Sequence, residues 1–195
     1  MIKNRPNFSP FSADIINMNN LNILYEDNDI LVCVKPHGLP TQTRSIHTPD
    51  LESILKNHIA AETPGTGKPP YLAVIHRLDQ PVSGILVFAK TPFAAKELSR
   101  QLQQKGFHKH YLALVQGAPS QKKDTLEHYL VKDQRRNISR VCDKNTAGAK
   151  LARLQYSVIS STGAHTLLEI HLDTGRQHQI RVQMAAIGCP ICGDT

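Results

Sequence analysis

The sequence predicts an α+β fold: a mixed, mainly antiparallel sheet flanked by a few helices. Three observations carry this. Apolar runs with period-2 alternation are joined by short turns, as in hairpins. Only a few segments have helical spacing, and they are scattered among the strands rather than alternating with them. Hydrophobic residues make up 40% of 195 residues, enough for a packed core and for one domain plus a tail.

In chain order, residues 1–20 are polar and Asn-rich and read as an N-terminal tail, with the remaining domain over 21–195. "NILYEDNDILVCVKP" reads as two strands around an Asn28-Asp29 turn, ended by Pro36, Gly38 and Pro40. "TPDLESILKNHI" is a short amphipathic helix. Leu51, Ile54, Leu55 and Ile59 form its stripe, and Thr48 or Asp50 its cap. "TPGTGKPP" is a loop, and "YLAVI" and "ILVFAK" are apolar enough for interior strands. Thr91-Pro92 starts a second helix with a stripe of Ala95, Leu98 and Leu102, stopped by Gly106.

"KHYLALVQG" is the next strand, and the polar, basic residues 118–150 form a weaker hairpin region. That region suits either a phosphate backbone or plain solvent. "ARLQYSVIS" and "HTLLEIHLD" pair around Thr162-Gly163. In the closing block, Thr174 and Gln177 have capping-box spacing. Ile180, Met184 and Ile187 recur at helical spacing, and Gly188 stands at the C′ position.

Composition narrows the function. Lys plus Arg is 23 and Asp plus Glu 16, a net charge of +7. This suits a polyanionic partner, or a basic surface kept for solubility. With five Tyr, five Phe and no Trp, a broad aromatic platform for single strands is disfavoured. No apolar run approaches a membrane span, and the N-terminus lacks the apolar core of a secretory signal, so a cytoplasmic protein is expected. Cys33, Cys142, Cys189 and Cys192 are then expected as reduced thiols. Cys189 and Cys192 form a lone C-x-x-C without the second ligand pair of a structural zinc site. The chain contains no P-loop, G-x-G-x-x-G, G-x-S-x-G or H-E-x-x-H, which disfavours a nucleotide cofactor.

"IHRLDQPVSGILVFAKT" concentrates ionisable residues at a strand end. Asp79 there is either a turn residue bonding nearby backbone or a reactive carboxylate. Arg176 and Arg181, at the start and in the first turns of the last helix, can hold a carboxylate ionised or be surface charges. His178 between them is a general base or simply polar. Tyr111, on a strand after "HKH", suits a core tyrosine with a satisfied hydroxyl.

The block "HRLDQPVSGILVFAK" resembles the H-R-L-D-x-x-(T/V)-S-G-x-L-V-x-A-K signature of RluA-type RNA pseudouridine synthases. "LYEDNDILVCVKPHGLP", "KHYLALVQG" and "TGRQHQIRVQMAAIGCPICGD" resemble that family's opening, central and closing motifs, in the same order, over Leu24 to Asp194. The resemblance implies the pseudouridine synthase fold with a central active-site cleft. It also implies isomerisation of a uridine to pseudouridine in ribosomal or transfer RNA, without metal or cofactor. It assigns Asp79 as the catalytic aspartate, Tyr111 as the tyrosine packed on the target base, and Arg181 as the arginine paired with the aspartate. Arg77 would help hold the extruded nucleotide, and His76, Lys109, Arg176 and His178 would complete the RNA contacts. RNA is the expected partner, with no membrane, and the protein is expected to be a monomer.

Val82, Gln183 and Cys189 depart from the residues common at their positions. Members usually continue past "GD" with further strands, so the catalytic domain is expected to be C-terminally truncated. Residues 1–20 are too short for an S4-type RNA-binding domain, so none is expected there. The competing readings are a non-catalytic RNA-binding or chaperone domain of the same fold, and a hydrolase using Asp79 with His178.

Overall fold

The computed structural model describes residues 21–45, 47–62, 69–104, 107–133 and 136–194. The chain divides into two compact units, residues 1–100 and 101–195. The tail, most of the 63–70 loop and the Gly106 helix stop lie outside the described residues.

The first unit holds a four-stranded antiparallel sheet. Its strands are β1 (Ile23–Glu26), β2 (Ile30–Lys35), β3 (Ala73–Val74) and β4 (Gly84–Ala89), in the order β1-β2-β4-β3. The β1–β2 turn falls at Asn28-Asp29 as expected. Asp27 organises it, its Oδ1 accepting the backbone N–H of both Asp29 and Ile30 at 2.7 Å. Helix α1 (Leu51–Glu62) buries all four residues of its stripe. Asp50 is the cap, accepting the Ser53 N–H at 2.8 Å. These residues pack with Leu31, Cys33, Leu86 and Phe88 as the core of the unit.

"YLAVI" is not an interior strand. β3 has two residues and lies at the sheet edge, and Tyr71 is exposed. Pro69 and Pro70 immediately before it offer no N–H for further pairing. Helix α2 (Pro92–Gln103) starts where predicted, the Thr91 hydroxyl accepting the Ala94 N–H at 3.2 Å. The residue it buries is Ala94, one turn before Leu98 on the same face. Ala95, Leu98 and Leu102 are half-buried.

The second unit holds a five-stranded antiparallel sheet in the order β5-β9-β8-β6-β7. These are β5 (Lys109–Gln116), β6 (Lys123–Asp133), β7 (Ile138–Cys142), β8 (Lys150–Ser161) and β9 (His165–Leu172). The basic hairpin is therefore built into the sheet, since β6 pairs with both β7 and β8. Ala113 and Val115 of β5 face the core with Leu154, Leu168, Ile170 and Met184. Leu112 and Leu114 point outward, 70% and 48% exposed. Residues 190–192 pair along part of the free edge of β5, through Gln116 N–H to Pro190 O and Cys192 N–H to Leu114 O, each 2.8 Å. All four cysteines are free thiols. Among the described residues no helix is long and apolar enough to cross a membrane.

Candidate active site

In the first unit, residues His76 to Val82 form the connection from β3 into β4. Asp79 is exposed, and its main-chain carbonyl closes a turn by accepting the Val82 N–H at 2.9 Å. The segment after β2 clamps this connection on both sides of Asp79. Before it, the Thr41 hydroxyl donates to Leu78 O at 3.0 Å and lies 3.3 Å from the Leu78 N–H. After it, Gln80 O accepts from the Gly38 N–H at 3.0 Å, and Gln80 Nε2 donates back to Gly38 O at 3.0 Å. His37 Nδ1 donates to Pro81 O at 2.7 Å.

The firmest element of the clamp is Lys35, a side chain that the reading of site residues missed. It is fully buried, and its Nζ donates to Leu39 O at 2.6 Å, Pro36 O at 2.9 Å and Gln80 O at 3.0 Å. A buried ammonium is tolerated only when its donors are satisfied in this way. Burial lowers the Lys35 pKa, and the charge of Asp79 opposes that shift. A signal was present in the sequence: Leu31, Cys33 and Lys35 occupy alternate positions, so β2 turns a lysine toward the face that buries its apolar residues.

Gly84 completes the local fit. It has φ +156, and an added Cβ would meet the Leu78 side chain at 3.1 Å. Leu78 packs on the core while its neighbours Arg77 and Asp79 face solvent. His76 is half-buried at the start of the same loop.

In the second unit, Tyr111 lies on the inward face of β5, half-buried against the core. Lys109, two residues earlier, approaches the loop after β9: a Cβ on Gly175 would stand 3.1 Å from its Nζ. Burial, and then the charge of Arg176, lower the Lys109 pKa.

The capping-box expectation is corrected. Helix α3 (Gln179–Ala186) begins after Gln177, and its N-cap is His178 at φ 53, with no side-chain cap bond. Thr174 instead donates to Gln179 Oε1 at 2.8 Å, and that oxygen also accepts the Arg176 N–H at 2.9 Å. Gln177 turns away to Asn137. The buried Gln179 amide thus folds the Thr174–Arg176 loop back on itself, and Arg176 precedes the helix rather than starting it. Arg176 Nε donates to Leu151 O at 2.8 Å. Arg181, in the first turn of α3, donates from Nε to Asp194 Oδ2 at 2.6 Å. Gln183, one of the departures, is fully buried, with Nε2 near Leu126 O, Ala152 O and His128 Nδ1.

The loop of one unit thus gathers His76, Arg77 and Asp79, and the second unit gathers Lys109 and Arg176. Residues 29–186 match the model of the RNA pseudouridylate synthase family. Among curated relatives, a ribosomal large subunit pseudouridine synthase D of Nitrosomonas europaea is 38% identical over 177 residues, covering 89% of this chain and 48% of that protein. An uncharacterised RNA pseudouridine synthase of Bacillus subtilis, YhcT, is 33% identical over 189 residues, covering 96% and 61%. The chain therefore spans about half to three-fifths of the length of these relatives. The solved human RNA pseudouridylate synthase domain containing 4 superposes with TM-score 0.74 at 26% identity, over 89% of this chain and 67% of that one. The chain belongs to the RNA pseudouridylate synthase family, in its RluA-type branch.

Proposed function

We propose that this protein isomerises a specific uridine to pseudouridine in RNA, with Asp79 as the catalytic carboxylate. Ribosomal RNA is the favoured substrate, because relatives named as ribosomal large subunit synthases are 38% and 36% identical to it. The observation that carries the proposal is the clamp on the Asp79 loop. An exposed carboxylate has no structural need for a backbone fixed on both sides by residues 35–41, whereas a reacting group needs that preorganisation.

The chemistry is balanced without an added reactant. The C1′–N1 bond breaks, the uracil turns, a C1′–C5 bond forms, and the C5 hydrogen leaves as a proton while N1 gains one. Asp79 acts either as the nucleophile at C1′ or as the base at C2′. Tyr111 packs on the base, Arg181 supports the carboxylate, and Arg77 with His76 holds the nucleotide out of its stack, an extrusion that costs a few kcal/mol. Lys109, Arg176 and His178 take the RNA backbone, helped by the net charge of +7. On this reading the protein works as a monomer in the cytoplasm.

The test is tritium release from C5-labelled uridine in cellular RNA by wild type and Asp79→Asn. Asn keeps the shape and turn bonds of Asp but is a far weaker nucleophile and base. The expected result is retained folding and RNA binding with activity lower by several orders of magnitude. Release at near wild-type rate by Asp79→Asn would overturn the mechanism. Wild type that binds RNA yet releases no tritium from any cellular RNA would favour the binding-domain alternative.

A further inference from the structure

The outward face of the β5–β9 pair carries a cluster that the proposed reaction does not use. His110 and His171 are direct partners across the two strands, with ring centroids 3.9 Å apart. Glu169 stands two residues before His171 and so faces the same way. Its Oε1 lies 3.5 Å from His171 Nε2 and 3.9 Å from His110 Nδ1. The donor atoms of all three residues fall within 4.8 Å of one another. On the neighbouring strand Ser157 lies opposite Glu169, with its Oγ 3.5 Å from the other carboxylate oxygen.

We propose that His110, Glu169 and His171 form a binding site for a first-row divalent transition metal, of the Zn2+ or Co2+ class. Donors about 2.0–2.1 Å from a tetrahedral ion are roughly 3.3 Å from each other. Glu169 stands 3.5 and 3.9 Å from the two imidazoles and all three donors lie within 4.8 Å, so rotamer adjustment on the fixed strands brings them onto one ion. Two imidazoles and one carboxylate select such an ion over Mg2+ or Ca2+, which take oxygen ligands. Ser157 supplies the outer hydrogen bond that orients a ligating carboxylate. The backbone is already set by two paired strands, so only rotamers need to settle. The fourth position opens to solvent, beside a cleft of ≈ 250 Å3 lined by His108, His110 and His171.

Among the described residues a second cluster of this kind, Glu26, His58 and Glu62, is less suited. Lys90 Nζ already occupies Glu26 Oε1 at 2.6 Å, leaving an ion-pair network rather than an open ligand set. The proposed site is independent of the isomerase reading. Its chemical role is to tie β5 to β9 on the face opposite Tyr111.

The test is Co2+ and Zn2+ titration of the full chain, followed by visible absorption, calorimetry and thermal melting. Wild type should bind Co2+ with a four-coordinate visible spectrum that lacks a thiolate charge-transfer band, and Zn2+ should raise its melting temperature. His110→Ala and His171→Ala should each weaken binding by at least about tenfold, and Glu169→Gln should weaken it less. All three residues are partly exposed, and metal-free melts and circular dichroism check that the variants fold. Binding unchanged in His110→Ala and His171→Ala, a thiolate band showing cysteine ligation, or no wild-type spectrum at stoichiometric Co2+ would each overturn the proposal.

Discussion

Lys35 Nζ donates to the carbonyl of Gln80 at 3.0 Å, so the buried face of β2 holds the chain immediately after Asp79. Replacing Lys35 by Met keeps much of the volume but removes this donor from three carbonyls, of which that of Leu39 is in a buried bond and those of Pro36 and Gln80 in partly buried ones. We expect a loss of about 2–4 kcal/mol in urea unfolding. We also expect kcat for tritium release to fall far more than RNA affinity, because the loop that aims Asp79 is no longer fixed. A Lys35→Met protein that is less stable but turns over normally, measured where it is fully folded, would show that the clamp does not serve the reaction.

Cys33 lies two residues before Lys35 on the same buried face, and burial pushes its thiol from 9.0 up to about 11. The unfolded thiol therefore ionises first, and unfolding gains on folding as pH rises. The contribution is complete below 9.0 and is lost progressively toward about 11. At the top of that range wild type should have lost roughly 2 kcal/mol relative to Cys33→Ala. Lys35 works the other way: its lowered pKa makes stability rise with pH in the window below 10.5. Urea midpoints of wild type, Cys33→Ala and Lys35→Met across the alkaline range separate the two. Parallel curves for wild type and Cys33→Ala would exclude the thiol effect.

Burial, and then the charge of Arg176, lower the Lys109 pKa, and a phosphate bound by both cations would offset the repulsive part. Lys109→Met and Arg176→Met should each weaken RNA binding. Each should also make the slope of log K against log salt shallower by about 0.7, the value for one phosphate contact on a single strand. Filter binding over a salt series measures this. An unchanged slope in both variants would place the phosphate contacts elsewhere.

Much of this arrangement was legible beforehand, and the limits were physical. The α1 stripe and the β8–β9 alternation follow from local periodicity, and both formed where expected. Periodicity also marks the two faces of β5 but does not tell which one is buried, and the larger Leu112 and Leu114 proved to be outside. The start of α3 was misplaced because Thr174 and Gln177 have capping spacing, while the buried amide of Gln179 is the partner Thr174 takes. The edge position of β3 depends on long-range pairing that no local window contains. Asp79 stood out by residue type and by motif, but its support came from residues 35–41, distant in sequence.

Arg181 tests whether the proposed site residues act as one unit. Its Nε is engaged by Asp194, a partly exposed pair whose loss in Asp194→Asn should cost less than about 1 kcal/mol of stability. Arg181→Met should lower tritium release strongly, and the Asp79→Asn/Arg181→Met double variant should fall little below Asp79→Asn alone. Full additivity of the two losses would mean that the arginine acts on a step separate from the carboxylate.

Gly188 offers the cleanest test of how α3 is held. The helix ends in a Schellman arrangement: Gly188 N–H donates to Ala185 O and Cys189 N–H to Met184 O, both at 3.0 Å. Met184 and Cys189, which bracket the motif, are both buried in the core of the second unit. Gly188 has φ +79, and an added Cβ would meet nothing within 4 Å, so an Ala variant changes only the backbone preference. That preference is worth about 1–2 kcal/mol against a left-handed Ala. Gly188→Ala should lower stability by this amount, and Gly188→Asn by less, since Asn tolerates the same conformation. Hydrogen exchange at Cys189 should speed up in the Ala variant, because its amide reports the closing bond of the motif. Equal stability and exchange in wild type and Gly188→Ala would mean that Gly188 need not adopt a left-handed conformation.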